Sequence, residues 1–148
     1  MSEVRHASVT WNGDLANGSG MIKYLSSGVV SRLPISWASR TSAHDGKTSP
    51  EELLAAAHAS CFSMALASRL AKNGTPATTL EVRADVTFDQ QEAGWKIASS
   101  ALKVTGDVPG IDAETFARLA DDAKEKCPIS QALQGNVALS VEAALVGG

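Results

Sequence analysis

Along this chain, stretches of alternating apolar and polar residues are interrupted by one long uncharged run and one amphipathic run, and these set the expected elements. Residues 5 to 11 and 20 to 26 read as short strands around NGDLANGSG, where Asn, Asp and Gly supply the positive backbone angles that a hairpin loop needs. LPISWAS, at 33 to 39, reads as a further strand, and the polar segment 40 to 49, RTSAHDGKTS, breaks regular structure. A helix then starts with strong signals. Ser49 stands at the cap, Pro50 at the first helical position, and Glu52 three residues after the cap to complete a capping box. The helix is predicted to run from Pro50 to about Lys72 and to stop at Asn73-Gly74. Between Leu53 and Ala67 it carries no formal charge, and its apolar and small residues on all sides predict burial all round. So many alanines also let another helix, a sheet or a second subunit approach closely.

Two alternating strands follow, at 79 to 89 and 95 to 105, paired as a hairpin through a turn containing Gly94. Asp112 caps a second helix, AETFARLADDAKEK, in which Phe116, Leu119, Ala120 and Ala123 recur at helical spacing. That helix stops at Cys127, because the residue before a proline is pushed out of helical conformation. Pro128 opens a short helical piece, PISQALQG, and residues 136 to 145 return as a last strand. This order of elements predicts an α+β fold with a mostly antiparallel sheet, built as one domain over residues 1 to 148.

A chain of 148 residues is long enough to close one core, and 44% hydrophobic with 20% charged residues is ordinary for a soluble protein. The net charge of −3, with both signs interspersed, leaves no basic face for a phosphate backbone or an anionic membrane. Neither nucleic acid nor membrane is expected as a partner. The first residues lack the apolar core of a signal peptide and no stretch is expected to reach the roughly 18 apolar residues of a membrane span, so a cytoplasmic location is expected. In a reducing compartment the two cysteines, Cys61 and Cys127, are then two free thiols or one redox pair, not a structural disulfide.

The two cysteines are not equivalent. Cys127 stands at a helix start, where unpaired amides and the helix dipole favour a thiolate. Cys61 lies in mid-helix without such help, and apolar burial raises a thiol's pKa, so a reactive Cys61 calls for a nearby arginine. Two core residues without chemistry are the plain alternative. His58, one turn before Cys61, adds two readings: a cysteine hydrolase, or a metal site with Cys127 as third ligand. A hydrolase would need an orienting Asn or Asp and an exposed turn with amides for the oxyanion, and a metal site would show C-x-x-C or H-x-x-x-H spacing. Neither accompanies the pair, so His58 is expected to be a packed polar residue with a hydrogen-bond partner. Trp11, Trp37, Trp95, Phe62, Phe88 and Phe116 are expected in the core, although Phe62 and Met64 also flank Cys61 as apolar neighbours for an alkyl group.

The stretch Thr48 to Ser63, TSPEELLAAAHASCFS, closely resembles the signature of the OsmC/Ohr family of osmotically inducible and organic hydroperoxide resistance proteins. A second match, Cys127 to Leu133 (CPISQAL), resembles that family's resolving-cysteine motif. Trp11-Asn12-Gly13-Asp14, Val108-Pro109-Gly110-Ile111-Asp112 and His58 point to the OsmC branch. The resemblance implies an intertwined homodimer with two sites at the interface, acting as a thiol-dependent peroxidase without metal or organic cofactor. It implies organic hydroperoxides, and also hydrogen peroxide, as substrates, and an external dithiol such as a lipoylated protein as reductant. By the same resemblance Cys61 is peroxidatic, passing through a sulfenic acid to a Cys61–Cys127 disulfide, Cys127 is resolving, Arg40 activates the thiol, and Glu51 orients Arg40. The competing reading is a non-enzymatic, stress-related binding or scaffold protein with structural thiols. Glu51 and Cys61 are ten residues apart, about 15 Å along a straight helix, so their side chains do not touch. Arg40 reaches between them, the helix breaks near its start, or Glu51 serves the site from a partner subunit; a composite site at a dimer interface is the preferred arrangement.

Overall fold

A computed structural model describes residues 1 to 147. The chain forms two compact units, Met1–Leu53 and Leu54–Gly148. In the first, strands β1 (Ala7–Asn12), β2 (Ser19–Leu25) and β3 (Ser31–Ile35) make an antiparallel sheet in sequence order. Gly20 at its centre is required by close approach: a Cβ there would lie 2.7 Å from the Trp11 ring and 2.8 Å from Ile35.

The third strand ends sooner than its apolar residues suggest. Ser36 leaves it to cap a short helix, α1 (Trp37–Thr41), accepting from the Ser39 amide at 3.1 Å while Ser39 Oγ accepts from the Ser36 amide at 3.2 Å. SWAS is thus a reciprocal capping box and not a strand end, and Arg40 is helical instead of lying in a loop. A parallel bridge between Ile35 and Thr48, with Ser39 Oγ 2.7 Å from the Thr48 carbonyl, returns the chain beside β3.

Helix α2 (Pro50–Lys72) begins and ends where expected, with the Glu52 amide donating to Ser49 Oγ at 3.2 Å and Gly74 at φ 80° after the last turn. The return half of the expected capping box is not made. Glu52 instead accepts from Thr48 Oγ1 at 2.8 Å. The helix runs unbroken through all 23 residues, which removes the broken-helix alternative.

The second unit holds β4 (Thr79–Gln91) and β5 (Gly94–Asp107), an antiparallel hairpin turning at Gly94, and β6 (Ala138–Leu145). Strand β6 pairs with β5 in parallel, the one parallel pair of the named strands. Such a pair needs a crossover, supplied by α3 (Ala113–Lys126) and α4 (Pro128–Leu133). Asp112 caps α3 by accepting from the Thr115 amide at 2.8 Å, as its position predicts. Inward residues of β5 fall at every second position, Ser100, Leu102, Val104 and Gly106, and meet Phe62, Leu66 and Leu70 of α2 and Phe116, Leu119, Ala120 and Ala123 of α3. Gly106 has no Cβ because one would lie 2.7 Å from the Phe116 ring. Full burial of rings such as Phe62 and Phe116 contributes about 1.5–3 kcal/mol each.

Helix α2 departs from its expected character in two ways. It is not buried all round: His58, Phe62, Leu66 and Leu70, at four-residue intervals, form one buried stripe, while Ala56, Ala57, Ser60, Met64 and Ala67 are exposed. Small residues give a low charge count on every face, but only the large side chains are held in the core. The helix is also long and apolar enough, with a mean hydropathy of 1.3 over its best window, to pass as a membrane span by length and composition. Its stripe packs against β5 and α3, which makes it a core helix of a soluble domain.

Candidate active site

Cys61 projects from the middle of α2, beside fully buried Phe62. Cys127 is the hinge residue between two helices. Its amide donates to the Ala123 carbonyl at 2.9 Å to close α3, its ψ of 126° leaves helical space before Pro128, and its carbonyl accepts from the Gln131 amide at 3.0 Å to open α4. Both thiols are free; Cys127 is completely buried and Cys61 half-buried. The Cys127 side chain and the Ile129 backbone amide are neighbours of the Cys61 thiol. Burial pushes the Cys61 thiol above its ordinary pKa, the neighbouring Cys127 thiol pushes it the same way, and the Ile129 amide opposes both.

The helix-start assistance expected for Cys127 is therefore redirected. Ile129 is the second residue of α4, so its amide is one of the donors that the helix leaves unpaired. Cys127, although it occupies the cap position, makes no side-chain cap bond. Cys61 receives an amide after all, yet the balance still leaves it raised, and a cation remains necessary to make it a thiolate at neutral pH.

His58 is fully buried and paired as expected of a packed polar residue. Its Nδ1 lies 2.6 Å from Ser100 Oγ on β5 and its Nε2 2.8 Å from Ser130 Oγ on α4. With both ring nitrogens engaged, neither is left to act as a base on Cys61 or to ligate a metal. Among the described residues no group of three His, Cys, Asp or Glu side chains is placed to hold an ion. Burial lowers the His58 pKa from 6.5. The unfolded chain therefore takes up a proton near pH 6.5 that the folded ring refuses, so the stability is fully present above that pH and lost as pH falls below it. Each pH unit between 6.5 and the lowered folded value removes up to about 1.4 kcal/mol. Urea midpoints of the wild type and His58→Gln, compared from pH 7.5 down to about 5, should show a steeper acid loss in the wild type; parallel curves would refute this.

Arg40 and Glu51 meet within the first unit. Arg40 Nη2 donates to Glu51 Oε1 at 2.5 Å, and Arg40 Nε lies 3.1 and 3.2 Å from the two carboxylate oxygens. Their meeting follows from local structure: α1 carries Arg40, and the Ile35–Thr48 bridge with the Ser39–Thr48 contact sets the start of α2 beside it. The Arg40 guanidinium also stands 5.7 Å from the Trp37 ring centroid. Next to it opens a cavity of about 340 Å³ whose walls include Trp11, Leu15, Ile35 and Trp37.

The aromatic residues divide differently from the expectation. Phe62 and Phe116 are core residues, but Trp11 is 37% exposed and walls this cavity with Trp37, and Trp95, 44% exposed, stacks on Phe88 at 4.8 Å. Met64 is exposed. Three further participants, Ser100, Ser130 and the Ile129 amide, have no role among the expectations from sequence. Ser100 carried a usable signal, since it shares the inward register of β5 with Leu102 and Val104, and a buried hydroxyl there needs a polar partner. His58 is the polar member of the buried stripe on α2. Nothing in the sequence marks a backbone amide.

The OsmC-like protein family profile matches residues 43–142. Peroxiredoxin OsmC of Escherichia coli (strain K12) is 42% identical over 132 residues, which is 89% of this chain and 91% of that one. The crystal structure of the organic hydroperoxide resistance protein OhrB of Bacillus subtilis superposes with a TM-score of 0.73 at 31% identity, covering 93% of this chain and 97% of that one. An organic hydroperoxide resistance protein from Elizabethkingia anophelis shares the fold, with a TM-score of 0.74 at 24% identity over 98% and 99% of the two chains.

Proposed function

The chain belongs to the OsmC-like protein family, and we propose that it is a cysteine-based peroxidase that reduces organic hydroperoxides through Cys61 and Cys127. The observation that carries this reading is the Cys127 thiol, at the start of α4, as a neighbour of the Cys61 thiol. The Cys61 thiolate attacks the distal peroxide oxygen, the O–O bond breaks, and the alkoxide leaves as an alcohol after taking a proton. Cys61 is then a sulfenic acid. The Cys127 sulfur attacks the sulfenic sulfur, the S–O bond breaks, water departs and a Cys61–Cys127 disulfide remains for an external dithiol to reduce.

Arg40 is the activating cation and Glu51 the carboxylate that holds its planar donors in place, a role that suits their paired geometry. The apolar walls of the neighbouring cavity suit an alkyl or aryl group, so organic hydroperoxides are the favoured substrates and hydrogen peroxide is a lesser one. The chain works as one domain, consistent with a family match that crosses both compact units. A lipoylated protein supplies the electrons, and the protein acts in the cytoplasm.

The active form is a homodimer in which the Arg40–Glu51 pair of one subunit serves Cys61 of the other. Its support is the exposed, uncharged face of α2, with Ala56, Ala57, Ser60, Ala67 and a 69% exposed Met64. Sedimentation at micromolar concentration should find dimers, and a folded monomer alone would exclude this assembly. For the activity itself, one equivalent of an alkyl hydroperoxide should remove two titratable thiols per chain rapidly. A scaffold protein with structural thiols would keep both.

A further inference from the structure

We propose that His58 is a positioning residue: by holding Ser130, the third residue of α4, it keeps the Ile129 amide and the Cys127 thiol both turned on Cys61. This rests on the peroxidase reading for its meaning, though not for its test. Helix α4 has only six residues, no side-chain cap at its start, and a proline in its first turn, so little within the helix fixes its direction.

One side of α4 is backed by space. A cavity of about 190 Å³ lies against Ser130 and Gln134, walled by Lys124 and Val137, so core packing does not clamp the helix there. The polar tie to α2 is the bond of 2.8 Å from Ser130 Oγ to His58 Nε2, made where both side chains are excluded from solvent. Buried bonds of this kind are costly to lose, because the abandoned groups find no water. His58 is in turn held by Ser100 at 2.6 Å, on the central strand of its sheet. The chain of contacts runs from the central strand β5 through His58 to Ser130, and Ser130 follows Ile129 directly, with Cys127 three residues before it. The ring and the thiol both project from α2, one turn apart, so the same helix that carries Cys61 also aims its donor and its resolving partner.

The two ring nitrogens can be separated experimentally. A glutamine amide falls near the position of Nε2 and retains the Ser130 bond, whereas an asparagine amide falls near Nδ1 and retains the Ser100 bond. The first measurement titrates Cys61 by its ultraviolet thiolate absorbance in a Cys127→Ser background, without peroxide. The second follows loss of dimedone-reactive sulfenic acid after one equivalent of cumene hydroperoxide, with Cys127 present. His58→Asn is expected to raise the Cys61 midpoint by about one unit and to slow sulfenic acid resolution roughly tenfold, while His58→Gln stays close to the wild type. Ser130→Ala should reproduce the asparagine variant, and Ser100→Ala should give less than half of its effect. These two decide the matter if His58→Asn does not fold. Equal effects from the members of each pair, or wild-type values throughout, would overturn the proposal and leave His58 as core filling. A wild type that consumes no hydroperoxide would refute the peroxidase reading, and the thiolate titration would still judge the positioning role.

Discussion

Replacing Cys61 by serine is expected to abolish hydroperoxide reduction, whereas Cys127→Ser should permit one attack per subunit and then stop as a Cys61 sulfenic acid. The asymmetry follows first from access. Cys127 is wholly buried and Cys61 only half-buried, so a peroxide arriving from solvent meets Cys61 first. It follows also from the amide, because the Ile129 N–H favours the Cys61 thiolate, while Cys127 makes no side-chain cap bond at the start of the same helix. A second thiol is needed only to convert sulfenic acid to disulfide, and its loss leaves the first step intact while preventing turnover. Removing Cys127 also takes away a neighbour that raises the Cys61 pKa, so the single attack in Cys127→Ser should be no slower than in the wild type at neutral pH. Intact-mass measurement of each variant after one equivalent of hydroperoxide distinguishes the roles: one added oxygen on Cys61 in Cys127→Ser, and none at a comparable rate in Cys61→Ser. Oxygen appearing on Cys127 at the wild-type rate would reverse the assignment.

How far the sequence foretold this arrangement depends on where each feature's determinants lie. Helix α2 and the β4–β5 hairpin are set by neighbours, a Ser-Pro start, an Asn-Gly stop and a turn at Gly94, and all were legible. The SWAS capping box is equally local but is hidden by apolar Ile35 and Trp37 around it, which mimic a strand. The parallel return of β6 and the Ile35–Thr48 bridge depend on chain-distant pairing and have no local signature. In the site, both cysteines are visible as residues, but the direction of a helix N-terminus is a tertiary fact. Proximity in sequence favoured Cys127 as its beneficiary, and the turn at Pro128 delivers it to Cys61 instead.

Arg40→Ala is expected to slow hydroperoxide attack by roughly ten- to a hundredfold at neutral pH, since a cation beside a half-buried thiol lowers its pKa by about one to two units and each is worth ~1.4 kcal/mol. Burial and the Cys127 thiol raise Cys61, and the Ile129 amide alone does not cancel them, so the thiolate at pH 7 depends on a positive charge. Because the deficit is one of ionisation, raising the pH should rescue the variant: its rate should climb to a higher pH than the wild type's before levelling. Arg40→Lys should recover only part of the rate, for an ammonium cannot match the paired Nε and Nη2 contacts to Glu51 while also facing a thiolate. Glu51 complicates the alanine variant, because its carboxylate is only 8% exposed and would be left without its guanidinium. The double variant Arg40→Ala/Glu51→Gln removes that stranded charge and should keep the slow rate and the displaced pH profile while restoring stability. Stopped-flow rates against pH for the wild type and the three variants, with circular dichroism as the folding control, separate activation from structure. A wild-type rate and pH profile in folded Arg40→Ala would show that another cation activates Cys61.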